Sequence, residues 1–473
     1  MKSEQKSLLV IFISFGIFLL AFIFFTGYNG LYGQDSHEYL RYCKELIKFF
    51  KTGEVPGNFF WPIGYPLAGA LLSFITGPHL AMQLIPVLSC CWIMVILAAY
   101  LMNEFPGREK EISLYVFLFL GFSPYFLRYS ISVMSDIPSV ALLVTSYYCL
   151  DRYMKIKKAI FILIASFMVS ATIFTRIGLL PLTLPVWIFI FKSYFRKNNL
   201  QLIIPTLVLI LLPATIYSFF KGTDVSIVSQ NYQLTDWSVL NFFKREFSNP
   251  DGYLSYSLPN IVFVFLSFIH PGYVFAGILF IFQFFINKQQ PSYFITPLVL
   301  AILLYLFFLS GLPLQNSRFM IPVLPFFLLI CFPSFLSYLS WFHFKKKLLM
   351  LTITLLLIFQ SILVYRAFLP FYTLNKKELK IASSVLVHSS DIIYTFGIDG
   401  ALKSYGYEGK IINMYHSPLT SVASGSMMVF NPGEFSKQWA GKNPMNNYDF
   451  ILKSGKARLI ATVESGWEIY RVE

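Results

Sequence analysis

The side chains able to do chemistry are few and far apart in the chain. Asp35, Asp136, Arg176 and Arg318 each stand at the mouth of an apolar stretch. A membrane interior penalises charge, so ionisable groups in such places are the first functional candidates. A carboxylate can take a proton from a hydroxyl nucleophile, and a guanidinium can grip a phosphate with a fork of N–H donors. Two of each suit a phosphate-bearing substrate attacked by an activated hydroxyl.

Each residue also has a plainer reading. Asp35, with Glu38 three residues on, resembles a capping box that closes the start of a helix. The two roles are compatible, because a carboxylate held at a helix start stays ionised. Asp136 lies in Ser135-Asp136-Ile137-Pro138, a helix-opening pattern in which Ser or Asp caps and the early Pro loses no needed hydrogen bond. Arg176 and Arg318 can snorkel from the ends of their helices. Snorkelling does not explain why two acids and two guanidiniums fall on the same side of a membrane. His37, His79, His270 and His343 show no metal-ligand spacing and read as solvated or internally satisfied rings. No Gly-rich loop joins a strand to a helix and no nucleophile elbow occurs, so a nucleotide-sugar donor has no support.

The elements that must position these groups are apolar helices. Hydrophobic residues make up 56% of the 473 positions, Phe alone fills 52, and charged residues account for 13%. The charged share is about half that of ordinary globular proteins, which excludes water-soluble architectures. Apolar runs near the length needed to cross ~30 Å of hydrocarbon recur along the chain. They predict about eleven crossings, at 7–27, 80–102, 112–128, 137–153, 159–175, 177–193, 200–219, 259–286, 292–311, 319–342 and 348–368. The first run lacks a small-residue cleavage site and reads as a retained helix.

The net charge of +14 is a topology signal more than a nucleic-acid footprint. Lys2 and Lys6, Arg108 and Lys110, Arg152 to Lys158, Lys192 to Lys197, Lys288, and Lys345 to Lys347 fall on alternate loops, which should be cytoplasmic. The 103–111 loop, with three Glu against two basic residues, fits this least well. The opposite loops, 28–79 and 220–258, are longer, and the second has room for short interfacial helices. From Asp35 onward, Tyr39, Cys43, Leu46 and Phe50 recur at helical steps beside Leu40 and Ile47, as in a helix lying in the interface. Only Cys43 of the five cysteines falls in an aqueous loop, and no disulfide framework is visible. The chain therefore divides into a membrane module, 1–370, and a terminal domain, 371–473, on the side opposite the N-terminus. That domain reads as small and α/β, with strands at 392–396, 410–413, 427–430, 450–453, 459–463 and 467–472.

The run Gly33-Gln34-Asp35-Ser36-His37-Glu38-Tyr39-Leu40, then Trp61-Pro62-Ile63-Gly64-Tyr65-Pro66-Leu67, then Ser123-Pro124 leading to Ser135-Asp136-Ile137-Pro138, resembles the GT-C superfamily. It is most similar to the branch holding the protein O-mannosyltransferases and the aminoarabinose transferase of lipid A. Asn316-Ser317-Arg318-Phe319-Met320-Ile321-Pro322 matches an Arg-Phe-x-x-Pro pattern frequent there. The resemblance implies a polytopic helical fold with a proline-rich stretch re-entering the membrane and a terminal outer domain. It implies a polyprenyl-phosphate-linked sugar as donor, a hydroxyl of a protein, lipid or glycan as acceptor, and inversion at the anomeric centre. Asp35 would be the base. Asp136 and Glu38 would hold the acceptor or sugar, or assist a divalent cation. Arg176 and Arg318 would bind the donor phosphate. In place of the family's adjacent acids, Asp35 is followed by Ser36, which leaves the metal question open. The implied location is the plasma membrane, in bacteria the inner membrane, with a cytoplasmic N-terminus and no nucleic-acid partner.

The main competing expectation is a transporter or flippase for a lipid-linked or amphipathic solute, which should show repeated halves and helices interrupted near the midplane. His270-Pro271-Gly272 is one such interruption. A polysaccharide ligase or polymerase should carry a large basic outer loop late in the chain, where this sequence has a tail domain.

Overall fold

A computed structural model describes residues 3–194, 200–221, 231–275, 277–286, 295–341, 345–388, 390–453 and 457–473. Lys2, Arg196, Lys197, Lys288, His343 and residues 222–230 of the second outer loop lie outside them, as does the side chain of Lys6. Among the described residues, five helices are long and apolar enough to cross a membrane, or six when one bent pair counts as a single span. The protein is an integral membrane protein.

Nearly every expected crossing is a helix. The first half holds α1 (Ser3–Thr26), α4 (Pro78–Glu104), α7 (Asp136–Ile156), α8 (Ala159–Thr175), α9 (Leu180–Tyr194) and α10 (Ile203–Lys221). Two helices between α1 and α4 were not expected as spans: α2 (Gly33–Thr52) and α3 (Gly64–Thr76). α2 is the amphipathic interfacial element, burying Tyr39, Leu40, Tyr42, Cys43 and Leu46 on one face. Cys43 is therefore packed beneath this helix and not in water. α3 is the stretch begun by Trp61-Pro62, and Gly64 lets it approach α8, because a Cβ there would meet Thr175 Oγ1 at 2.6 Å.

Two expected spans are broken. The 112–128 stretch divides into α5 (Glu109–Val116), a π turn (Phe117–Gly121) and α6 (Pro124–Ser130), bent by 75°. The 259–286 stretch divides into α11 (Asn260–Leu266) and α12 (Gly277–Ile286). Proline and glycine at the breaks explain why the helices stop. In a bilayer the released backbone groups need partners, and here one bond crosses between the two breaks and another closes within the second. Tyr125 N–H donates to the Gly272 carbonyl at 2.9 Å, and Gly272 N–H donates to His270 Nδ1 at 3.0 Å.

The remaining membrane helices are α13 (Ile295–Ser310), α14 (Leu324–Trp341) and α15 (Lys346–His388). A 3₁₀ turn, Ser317–Val323, leads into α14. α15 runs 43 residues through Pro370 without stopping, so the last membrane helix is also the first helix of the terminal domain. Within the second outer loop, Tyr232–Thr235 and Val239–Phe243 form the short helical turns, and β1 (Glu246–Asn249) pairs antiparallel with β2 (Gly252–Ser255).

The terminal domain is a five-stranded mixed sheet in the order β4-β3-β5-β7-β6. β3 (Ile392–Thr395) is parallel to β4 (Lys410–Asn413) and β5 (Met427–Phe430), while β7 (Trp467–Val472) is antiparallel to β5 and β6 (Ala457–Val463). Two short helices named below belong to it: α16 (Asp399–Ser404) and α17 (Asn443–Lys453). The 450–453 stretch is thus the end of a helix and not a strand. Its buried residues Pro444, Asn447, Tyr448 and Ile451 fall at the helical period, which decides the matter.

Candidate active site

The four ionisable candidates meet, although they come from α2, the start of α7, the α8–α9 junction and the turn before α14. Asp35 lies in the first turn of α2 and pairs with Arg318, whose Nη1 donates to Oδ2 at 2.7 Å. Asp136 opens α7 and faces Arg176, whose Nη2 is 3.0 Å from Oδ1. The Phe319 ring joins the two pairs, since the Arg176 and Arg318 guanidinium carbons each lie 5.6 Å from its centre. A shared aromatic face holds two like charges side by side by cation–π attraction.

Neither aspartate is spent on capping. The residue before α2 is Tyr32, and no side chain caps there by the expected route. Ser36 does that work, accepting from Tyr32 N–H at 2.7 Å. Glu38 reaches forward to Arg41 at 2.8 Å instead of back, and Arg41 also holds Glu45 at 2.5 Å. Glu38 is thus tied into a surface cluster outside the paired acids. Ser135 precedes α7 without capping it, and its hydroxyl bonds Tyr39 Oη at 2.8 Å and accepts from Arg176 Nη1 at 3.4 Å. Asp136 is fully buried, and neither of its oxygens has a hydrogen-bond partner, since Arg176 approaches off the bonding axis. A buried carboxylate with unfilled acceptor positions is costly and marks a place where further donors can bind.

A cavity of about 70 Å³ lies beside the pairs, with Tyr39, Trp61, Ser135, Arg176, Tyr305 and Arg318 on its wall. The guanidiniums face the cavity and the carboxylates stand behind them. Their exposure differs, with Asp35 29% accessible and Asp136 closed at 0%. Only Asp35 can meet a substrate proton without rearrangement of α7. Burial pushes the Tyr39 phenol up to about 12 against the opposing pull of the Arg176 charge, so it stays neutral and serves as a hydrogen-bonding group.

Sequence reasoning missed Tyr39, Ser135 and Phe319 as site residues. Tyr39 was assigned to the apolar stripe, although it lies one turn beyond Asp35 and shares its face. Of the histidines, His37 is buried and bonds Glu378 Oε2 through Nε2 at 3.1 Å, while His79 and His270 are exposed. A divalent cation fits this donor set poorly. Each carboxylate already faces a guanidinium, and no group of three His, Cys, Asp or Glu that could hold a metal occurs among the described residues.

Fold and site define an integral membrane protein with paired acids and arginines beside a cavity and a mixed-sheet terminal domain. Among solved structures, the chain is similar to ArnT from Cupriavidus metallidurans bound to undecaprenyl phosphate, with a TM-score of 0.64 at 10% identity over 98% of this chain and 97% of that one. The apo state of that ArnT gives a TM-score of 0.58 at 11% identity over 96% and 97%. At such identity the likeness is one of fold. No family model matches the chain, and no curated protein matches it by sequence.

Proposed function

We propose that the protein is a glycosyltransferase that moves a sugar from a polyprenyl-phosphate carrier to an acceptor hydroxyl, on the membrane side that carries the terminal domain. The observation that carries this reading is the pairing of Asp35 with Arg318 and of Asp136 with Arg176 at one cavity. The fold it shares with a protein bound to undecaprenyl phosphate supports the class of donor.

The pairing carries a mechanism. In the resting protein Arg318 occupies Asp35 Oδ2. A donor phosphate entering the cavity competes for both guanidiniums and draws Arg318 away from Asp35. Asp35 then takes the proton of the acceptor hydroxyl as that oxygen attacks the anomeric carbon. The bond from that carbon to the phosphate oxygen breaks, with inversion, and the electron pair leaves with the polyprenyl phosphate. Arg176 and Arg318 meet the charge that grows there. Asp136, closed behind Arg176, keeps that guanidinium aimed at the phosphate. No step runs through a metal.

The transporter reading draws on the two interrupted helices. In discontinuous-helix transporters the freed backbone groups line a solute site, whereas here Tyr125 and Gly272 bond to each other. The deciding test is sugar transfer by purified Asp35→Asn protein with a lipid-linked donor pool. Transfer should fall by about a hundredfold or more, the share of a general base, with donor binding retained. Transfer at the parental rate would remove Asp35 from the mechanism.

A further inference from the structure

Away from the paired acids, a third arginine stands without a counter-charge. Arg128, on α6, lies among three aromatic rings, 4.6 Å from the centre of Tyr125, 4.7 Å from Tyr129 and 4.3 Å from Phe371. Two of its N–H groups have partners, the Tyr129 hydroxyl at 2.9 Å and the Ala367 carbonyl at 3.4 Å. Its Nε is buried with none. No carboxylate pairs with it among the described residues. Aromatic faces attract a cation but do not neutralise it, and at membrane depth such a charge calls for an anion.

Arg128 forms the head of an apolar groove of about 190 Å³ between α1, α6 and α15. Phe18 and Phe22 of α1 and Ser361, Val364 and Phe368 of α15 form its flanks. The arginine touches α15 at Ala367, the end nearer the terminal domain, and the groove descends from there to Ser361. At 1.5 Å per residue that is about 10 Å, most of the depth of one leaflet's hydrocarbon. A charged head at the interface with an apolar channel below it matches a lipid standing upright in the leaflet on the terminal-domain side.

We infer that this groove binds an anionic glycerophospholipid of the surrounding bilayer, its phosphate on Arg128 and one acyl chain along α1 and α15. The site is separate from the cavity of the paired acids, because the two have no wall residue in common. It stands whether or not the chain transfers sugar.

The test is native mass spectrometry of the full-length protein in detergent, titrated with phosphatidylglycerol or phosphatidylcholine of identical chains. One phosphatidylglycerol should be retained at about tenfold lower concentration, the share of a charge-assisted hydrogen bond. Arg128→Gln should abolish that preference and leave phosphatidylcholine binding unchanged. Val364→Trp, which fills the groove, should weaken both lipids. Equal binding of the two lipids by the wild-type protein overturns the inference without recourse to any variant, so a failure of Arg128→Gln to fold leaves it testable. A preference that survives Arg128→Gln also overturns it. So does displacement of the bound phosphatidylglycerol by equimolar undecaprenyl phosphate, which would assign the groove to the sugar carrier.

Discussion

Arg318 is the residue on which substrate binding and base chemistry meet. Its guanidinium bonds Asp35 and lies on the cavity wall, so the same N–H groups serve the resting ion pair and an incoming phosphate. Charge-assisted hydrogen bonds contribute about 1.5–3 kcal/mol each. Arg318→Gln should therefore weaken binding of undecaprenyl phosphate by about tenfold to a hundredfold, read by titration of the purified protein. Unchanged affinity would place the phosphate elsewhere. Tyr39→Phe is the matching control, because it removes only the bond to Ser135. It should cost about 1 kcal/mol of stability in thermal melting and leave phosphate affinity intact.

At the scale of elements, α2 is held at its start by the terminal domain. Glu378, near the end of α15, accepts from Gly33 N–H at 2.9 Å and bonds His37 at 3.1 Å. Gln34 donates to Asp399 at 2.8 Å and accepts from Gly400 N–H at 3.0 Å, both at the start of α16. These contacts flank Asp35 in sequence, so they set the position of its carboxylate. Glu378 is 3% exposed, and removing an acceptor that buried donors rely on leaves them unsatisfied and is destabilising. Glu378→Ala should loosen α2 and speed tryptic cleavage at Lys44 and Lys48 several-fold, with Glu378→Gln nearer the parental rate because it keeps an acceptor. Equal rates for all three proteins would show that α2 is held by its apolar face alone.

The whole molecule sets the paired acids and the five-stranded sheet on one side, joined by α15 without a linker. We propose, from the basic clusters between spans, that the opposite side is cytoplasmic. A cysteine introduced at Lys437 should react with a membrane-impermeant maleimide in intact cells, and one at Lys345 only after permeabilisation. The native cysteines give little background, as four are buried and Cys91 is half-buried. The reverse labelling pattern would put the site and the terminal domain in the cytoplasm and leave an outward-facing acceptor out of reach.

Composition and periodicity alone determined that the chain is a membrane protein, where most of its helices run and where its terminal strands lie. These properties follow from local chemistry, since burying a helix in hydrocarbon needs only a long apolar run and a strand needs only its alternating pattern. The candidate acids and arginines were legible for the same reason, because charge beside apolar sequence is conspicuous. Tertiary structure decided which acid faces which arginine, that Ser36 and not Asp35 closes the start of α2, and that Glu38 turns to Arg41. It also decided that Tyr125 N–H finds the Gly272 carbonyl across two helix breaks. Partners hundreds of residues apart leave no trace in local spacing. They are selected by what the folded chain brings within hydrogen-bond reach, in a medium where an unpaired charge is too costly to leave alone.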